Sequence, residues 1–148
     1  MWFNPIMNLI LYSPIHSLLS KNTLVLQYTG RKSGKSYATP VNYVSDGRDL
    51  LVVSFKQRTW WRNLIGGAPV TLRLQGKDVP AKAEPVFDDE KAIERDLGIY
   101  LEAFSGLARN LGVRMDDQGH PNPEDLAKAA KPRVMVRIHL AEATVRLH

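Results

Sequence analysis

The chain has 148 residues, enough for one domain with a real core, and its 44% hydrophobic and 24% charged residues suit an ordinary soluble globular protein. It lacks cysteine, which excludes disulfides, thiolate metal sites and cysteine nucleophiles and suits a cytoplasmic setting, and His16, His120, His139 and His148 are too scattered for metal-ligand spacing, so no metal is expected. The net charge of +5 is concentrated: between Lys21 and Arg62 eight cations stand against Asp46 and Asp49, which gives +6, whereas between Glu84 and Glu102 seven acids stand against Lys91 and Arg95. One anionic ligand fits that asymmetry better than a generally basic surface does.

Residues 1–20 are apolar but carry no leading positive charge and no small-residue cleavage site, and Pro5, Asn8, Pro14 and His16 interrupt them. A signal peptide and a membrane span are both disfavoured. The expectation is an amphipathic or core-capping helix. The alternative is a helix lying on the inner membrane face with Trp2, Phe3 and Ile6 as anchors, which would make the protein peripherally membrane-associated.

TLVLQYT, Thr23 to Thr29, reads as a buried strand, and the basic turn GRKSGKS follows it. YATPVNYVS alternates, with Tyr37, Thr39, Val41 and Tyr43 on one face, and Pro40 marks it as an edge strand or a bulge. Asp46-Gly47 signals a hairpin that returns through DLLVVSF. In KQRTWWRNLIGG, Thr59 is expected to cap a short helix holding Trp60, Trp61, Asn63 and Leu64, which Gly66 and Gly67 end.

PVTLRLQ and DVPAKAEPVF read as two more strands around a turn at Gly76-Lys77. From Asp88 to about Leu111 a helix is expected, with Asp88, Asp89 and Glu90 at its N-terminus and an apolar stripe of Ile93, Leu97, Tyr100, Leu101 and Phe104. DDQGHPNP is a loop, PEDLAKAA a short helix, and RVMVRIHLAEATV, residues 133–145, the last strand. About six mostly antiparallel strands with peripheral helices make an α+β barrel or roll, organised as one domain over residues 1–148. A doubly wound sheet is excluded, because the first three strands follow one another too closely for helical crossovers.

The basic turn is not a nucleotide P-loop. Only three residues separate Gly30 from Gly34 where four are needed, and a strand follows where a helix N-terminus should hold the phosphates. No glycine-rich dinucleotide fingerprint follows a strand either. The turn still offers an anion backbone N–H groups, the planar fork of Arg31, the charges of Lys32 and Lys35, and the hydroxyls of Ser33 and Ser36. A solvated basic hairpin is the plain alternative.

Trp60 and Trp61 on one short helix point about 100° apart, so both cannot face one core. One is expected inside, and the other, with Arg58 or Arg62, against a flat ligand. Nucleic acid is disfavoured as a partner, since the aromatics are not spread over a sheet face and the acidic helix repels a long polyanion.

The order T-G-R-K-S-G-K, T-P-V, D-G and then W-x-x-N-L resembles the deazaflavin-dependent nitroreductase family over Leu24 to Pro85. That resemblance implies a split β-barrel oxidoreductase using reduced coenzyme F420. It further implies that Arg31, Lys32 and Ser33 take the phosphate and carboxylates of the coenzyme tail, with Lys35 and Tyr37 nearby. Ala38, Thr39, Pro40 and Val41 would pass alongside the deazaflavin ring, and Lys56, Trp60, Trp61, Arg62 and Asn63 would complete the site.

The implied activity is hydride transfer to a small-molecule electron acceptor: a quinone-like, nitroaromatic or other activated unsaturated compound. Tyr43 and Tyr100 are catalytic candidates by residue type only. The alternatives are an FMN-dependent split-barrel reductase and a non-enzymatic anion- or lipid-binding module, and barrels of this kind often form homodimers.

Overall fold

The computed structural model describes residues 23–140 apart from residue 75, and within them seven strands share one sheet. β1 (Thr23–Thr29) and β2 (Ser36–Asn42) form a hairpin in which Leu24 lies opposite Val41 and Tyr28 opposite Tyr37. β3 (Val44–Asp46) pairs with β4 (Asp49–Phe55), and β5 (Ala68–Leu74) with β6 (Lys77–Val86). β7 (Arg133–Leu140) closes the gap between β6 and β4. Every pairing is antiparallel, and the order is β2-β1-β5-β6-β7-β4-β3.

In that order β2 and β3 are the two outer strands, yet in sequence only Tyr43 separates them. A residue spans at most about 3.6 Å, so the opposite edges of the sheet must lie side by side. The sheet therefore curls into the split β-barrel. The single strand expected for YATPVNYVS is two, because Ser36–Asn42 pairs with β1 whereas Val44–Asp46 pairs with β4. Pro40 stands on the outer strand β2, where a missing ladder donor is tolerated.

Strand alternation feeds two cores. Leu50 and Val52 of β4 and Val134, Val136 and Ile138 of β7 point into the barrel with Leu24, Leu26, Leu72 and Trp61. Leu51 of β4 and Met135 of β7 point outward beneath the helices. There they meet Ile93, Leu97, Tyr100 and Leu101, the apolar stripe of α1 (Glu90–Ala103). Asp89 caps this helix, its carboxylate accepting from Ala92 N at 3.1 Å.

The helix expected to run to Leu111 stops at Phe104, whose φ −136° and ψ 73° are not helical. The Ser105-Gly106 pair that follows propagates a helix poorly. A 3₁₀ turn (Ser105–Leu107) and one helical turn, α2 (Ala108–Leu111), replace it. The short helix α3 (Pro123–Ala130) has the expected bounds and is capped by Asn122, which accepts from Asp125 N at 3.0 Å. The helix expected over residues 1–20 and the end of the last strand lie outside the described residues. No described helix is long and apolar enough to cross a membrane.

On the outward face of β7, Arg137 gathers Asp49 at 2.8 Å, Asp96 at 2.9 Å and Asp46 at 3.1 Å, tying α1 to the sheet. Asp96 is 0% exposed, so this pairing offsets the cost of burying its carboxylate. His139 bridges Asp49 at 2.9 Å and Glu84 at 3.0 Å. Hydrogen bonding to Glu84 outweighs burial and, with Asp49, holds the imidazole above its ordinary value. Burial opposes ionisation of Asp49, but the bonds from Arg137 and His139 prevail and hold its carboxyl below the usual range.

A raised histidine pKa contributes stability that is complete below the unfolded value, about 6.5, and is lost as pH climbs through the folded one. The His139 side chain is partly exposed, so the contribution is at most about 1 kcal/mol. His139→Gln should lower the melting temperature by about 2–4 °C at pH 5.5 and by much less at pH 9. Thermal unfolding of both proteins at the two pH values checks this, and an equal loss at both would contradict the ion-pair account.

Candidate active site

The turn between β1 and β2 is held by its own backbone. Gly30 N donates to Lys35 O at 2.8 Å and Gly34 N to Gly30 O at 2.9 Å, with Gly34 at φ 70°. A Cβ on residue 30 would fall 2.7 Å from both Ser33 Oγ and the Tyr37 ring, so only glycine fits there. Ser33 Oγ accepts from Lys35 N at 3.2 Å and shares a 3.2 Å hydrogen bond with Tyr37 Oη. Serine thus orders the loop while Arg31 and Lys32 extend from it, exposed.

After β4 the chain makes a 3₁₀ helix, Trp60–Leu64. Thr59 does not cap it, because its backbone is already in the helical region at φ −107° and ψ −17° instead of the extended one a cap requires. Trp61 is the inner tryptophan: it is 4% exposed, donates to Phe55 O at 2.8 Å and packs on Phe87 at 5.4 Å between centroids. Trp60 is half-buried, anchored by its indole N–H to Ser54 Oγ at 3.0 Å. Its ring continues a row through Tyr28 at 6.2 Å to Tyr37, which stacks on Tyr28 at 5.7 Å.

One amide joins the two motifs. Asn63 Nδ2 donates to Trp60 O at 3.0 Å, and Asn63 Oδ1 accepts the backbone N–H of Arg31 at 2.9 Å. The clip spans 32 positions of sequence and sets the basic turn beside the aromatic helix. Between them lies a cleft of about 730 Å³ lined by Arg31, Lys32, Ser33, Tyr37, Trp60, Arg62, Asn63 and Tyr28 among others, with no acidic residue among the described ones. Among the described residues no carboxylate lies within 4 Å of Arg31, Lys32 or Arg62. The charge of such a cleft suits an anion.

Trp60 is also a wall of a second cleft, of about 400 Å³. Thr39, Pro40 and Val41 of β2 line one side, Val53, Ser54 and Phe55 of β4 another, and Tyr100, Leu107, Asn110 and Leu111 the helical side. Arg58 and Arg133 are the charged residues among its described lining. Burial pushes the Tyr100 phenol up to about 12 and, followed by the neighbouring Tyr37, raises Tyr28, so both are neutral hydroxyls at physiological pH. Among the described residues no cluster of three histidine or acidic side chains could hold a metal.

The residues singled out in sequence thus divide. Arg31, Lys32, Ser33, Tyr37, Arg62 and Asn63 meet in the basic cleft, Thr39, Pro40, Val41 and Tyr100 in the second, and Trp60 in both. Lys35, Ala38, Lys56, Trp61 and Tyr43 line neither. Trp61 is committed to the core, and Tyr43, 8% exposed, packs in the barrel where the strand switches edges. Tyr28, Asn110 and Arg133 were not anticipated. Only Tyr28 had a signal, its period-2 relation to Leu24 and Leu26 on β1.

A family model, described as F420H(2)-dependent quinone reductase, matches residues 13–103. The Rv3178 protein of Mycobacterium tuberculosis (strain ATCC 25618 / H37Rv), named for an F420H(2)-dependent quinone reductase, is 29% identical over 75 residues. That match covers 47% of this chain and 63% of the relative, so the chain spans less than two thirds of that protein's length.

Among solved structures, the Mycobacterium tuberculosis protein Rv2991 superposes with TM-score 0.55 at 17% identity, covering 88% of this chain and 81% of its own. A domain-swapped dimer superposes with TM-score 0.55 at 17% identity over 82% of both chains. An F420-H2 dependent reductase, FDR-A, does so with TM-score 0.50 at 20% identity over 79% of this chain and 94% of its own. At such identities the superpositions speak for the fold alone, whereas the family model covers well over half of the sequence: the chain belongs to the F420H(2)-dependent quinone reductase family.

Proposed function

We propose that this protein is an oxidoreductase that binds coenzyme F420 across the two clefts and passes a hydride to a quinone-like, nitroaromatic or other activated unsaturated acceptor. The observation that carries the reading is the Asn63 clip, which sets a carboxylate-free cleft with three cations against a second, largely apolar cleft with one shared tryptophan wall.

The residues fit the coenzyme's two chemistries. Arg31, Lys32 and Arg62, with the backbone donors of the glycine turn, would hold the phosphate and carboxylates of the tail. Thr39, Pro40 and Val41, with Trp60, would hold the ring at the barrel mouth. When bound, the reduced deazaflavin supplies the hydride, and the protein supplies binding, orientation and electrostatics. Among the described residues lining the two clefts there is neither a histidine nor a carboxylate.

The contribution of this chain is therefore positional. Holding the reacting carbons about 3–3.5 Å apart can remove several kcal/mol of the barrier without acid or base. The apolar walls of Val41, Val53, Leu107 and Leu111 exclude water, and the Trp60–Ser54 hydrogen bond fixes the wall between the clefts. Two companions of this reading are a homodimer and peripheral membrane contact through residues 1–20.

Titration of the purified protein with F420 and with FMN, followed by tryptophan quenching, tests the proposal. Tight F420 binding is expected, weakened about 10- to 100-fold when Arg31→Ala and Lys32→Ala are combined, and weakened by salt in the unaltered protein. FMN preference, or F420 binding indifferent to that double substitution, would overturn it. Asn63→Ala should cost about 1 kcal/mol of stability, or 2–4 °C in melting temperature, and weaken F420 about tenfold by releasing the turn. Calorimetric melting beside the same titration separates the two effects.

A further inference from the structure

Arg133 begins β7, opposite Phe55 of β4, and its guanidinium lies 4.9 Å above the centre of the Phe55 ring. One arm, Nη1, donates to Ala129 O at 2.8 Å and so caps the end of α3. That cap explains why an arginine is tolerated here but uses a single donor. Nε is buried without any hydrogen-bond partner, and among the described residues no carboxylate lies within 4 Å of the guanidinium.

The contrast with Arg137, two strand periods away on the same face, is sharp: Arg137 has three carboxylates and Arg133 none. A half-buried cation without a counter-ion costs free energy in the empty protein, and an anion entering the cleft would recover it. Burial also pulls the Arg133 pKa down, yet it stays a cation at any physiological pH.

Arg133 faces the second cleft, where Arg58 stands exposed, Asn110 adds an amide, and no acidic residue is among the described residues of the wall. The rest of the wall combines aliphatic and aromatic side chains with the uncharged polar groups of Thr39, Asn42 and Ser54. A neutral, purely apolar acceptor would leave both guanidiniums unanswered. We propose that the acceptor taken by this cleft is a flat ring bearing an anionic oxygen, a carboxylate or an ionised hydroxyl, and that Arg133 is the residue that selects it, with Arg58 assisting at the exposed side. This rests on the reading above and adds the acceptor to it: with the deazaflavin ring against Thr39, Pro40, Val41 and Trp60, the Phe55 and Arg133 side of the same cleft would take the acceptor, and the binding preference itself can be measured without any coenzyme.

The test uses the full chain and two probes of one shape: 2-hydroxy-1,4-naphthoquinone, ionised at neutral pH, and its neutral 2-methoxy analogue. Calorimetric titration without coenzyme should show the anion bound at least tenfold more tightly than the neutral ring. Arg133→Gln should raise the Kd of the anion at least tenfold and that of the methoxy compound by less than threefold. Arg58→Gln, an exposed position that cannot compromise folding, should raise the anion's Kd about threefold and leave the melting temperature unchanged. If Arg133→Gln melts early through loss of its contact with α3, the Arg58→Gln comparison and the two-probe ratio of the unaltered protein still decide.

Equal affinity for the two probes, or an Arg133→Gln loss shared equally between them, would overturn the proposal. So would a variant that weakens only F420. With coenzyme supplied, the same substitution should raise KM for the hydroxyl probe while kcat changes little. Should F420 fail to bind while the two-probe preference persists, the oxidoreductase reading falls and this inference about the cleft stands.

Discussion

A one-residue connection between the two ends of the sheet is the constraint on which the rest of this structure depends. β2 and β3 are the outer strands, and Tyr43 alone joins them, so the sheet has no conformation open to it except a curl. The consequence reaches the site directly. Thr39 to Asn42 of β2 and Val53 to Phe55 of β4 lie at almost opposite ends of the strand order, yet they face one another across the same cleft. A flat sheet of identical pairing would have no such cleft. The burial of Tyr43 in the barrel core is accordingly a structural role, and its phenol is no part of either cleft.

Within that frame the Asn63 amide does for the loops what Tyr43 does for the strands. The basic turn belongs to the β1–β2 hairpin and Trp60 to the segment after β4, and no strand pairing connects β1 or β2 to that segment. The Asn63 oxygen on the Arg31 N–H supplies the hydrogen-bonded link, beside the contact of the Tyr28 and Trp60 rings. Because it engages the backbone, it leaves the exposed guanidinium of Arg31 out of the clip. The division of chemistry then follows position: exposed cations gather on the turn, where they need no burial, and apolar side chains such as Val41, Val53 and Leu111 gather at the second cleft.

Much of this was legible because local patterns and tertiary structure agree. β1, β4 and α3 have the bounds expected for TLVLQYT, DLLVVSF and PEDLAKAA. The basic turn and the tryptophan helix were legible as chemistry for the same reason: each is a short, local arrangement of residue types. What could not be read were features set by distant partners. Nothing in YATPVNYVS says that its two halves pair with strands at opposite edges. Thr59 looks like a cap until its backbone angles are known. Arg133 and Arg137 occupy equivalent outward positions of one strand, and only the elements packed against them, which bring Asp46, Asp49 and Asp96 to Arg137, determine that one is neutralised and the other left without a carboxylate among the described residues.

That last difference locates two functions on one strand pair. β4 and β7 run side by side from Asp49 opposite His139 to Phe55 opposite Arg133. Over those residues the strands extend about 20 Å. At one end the carboxylates of Asp46, Asp49, Asp96 and Glu84 are met by Arg137 and His139, fastening α1 to the sheet. At the other end, Phe55 and Arg133 open onto the cleft, with Tyr100 of the same helix as part of its wall. At roughly two Debye lengths, protonation of the network cannot act on the cleft by charge through solvent. It can act only mechanically, by loosening α1 and so moving Tyr100. The network is therefore a stabiliser of the wall and the unpaired arginine its chemical feature, and the two respond to pH and to ligand independently as long as α1 stays docked.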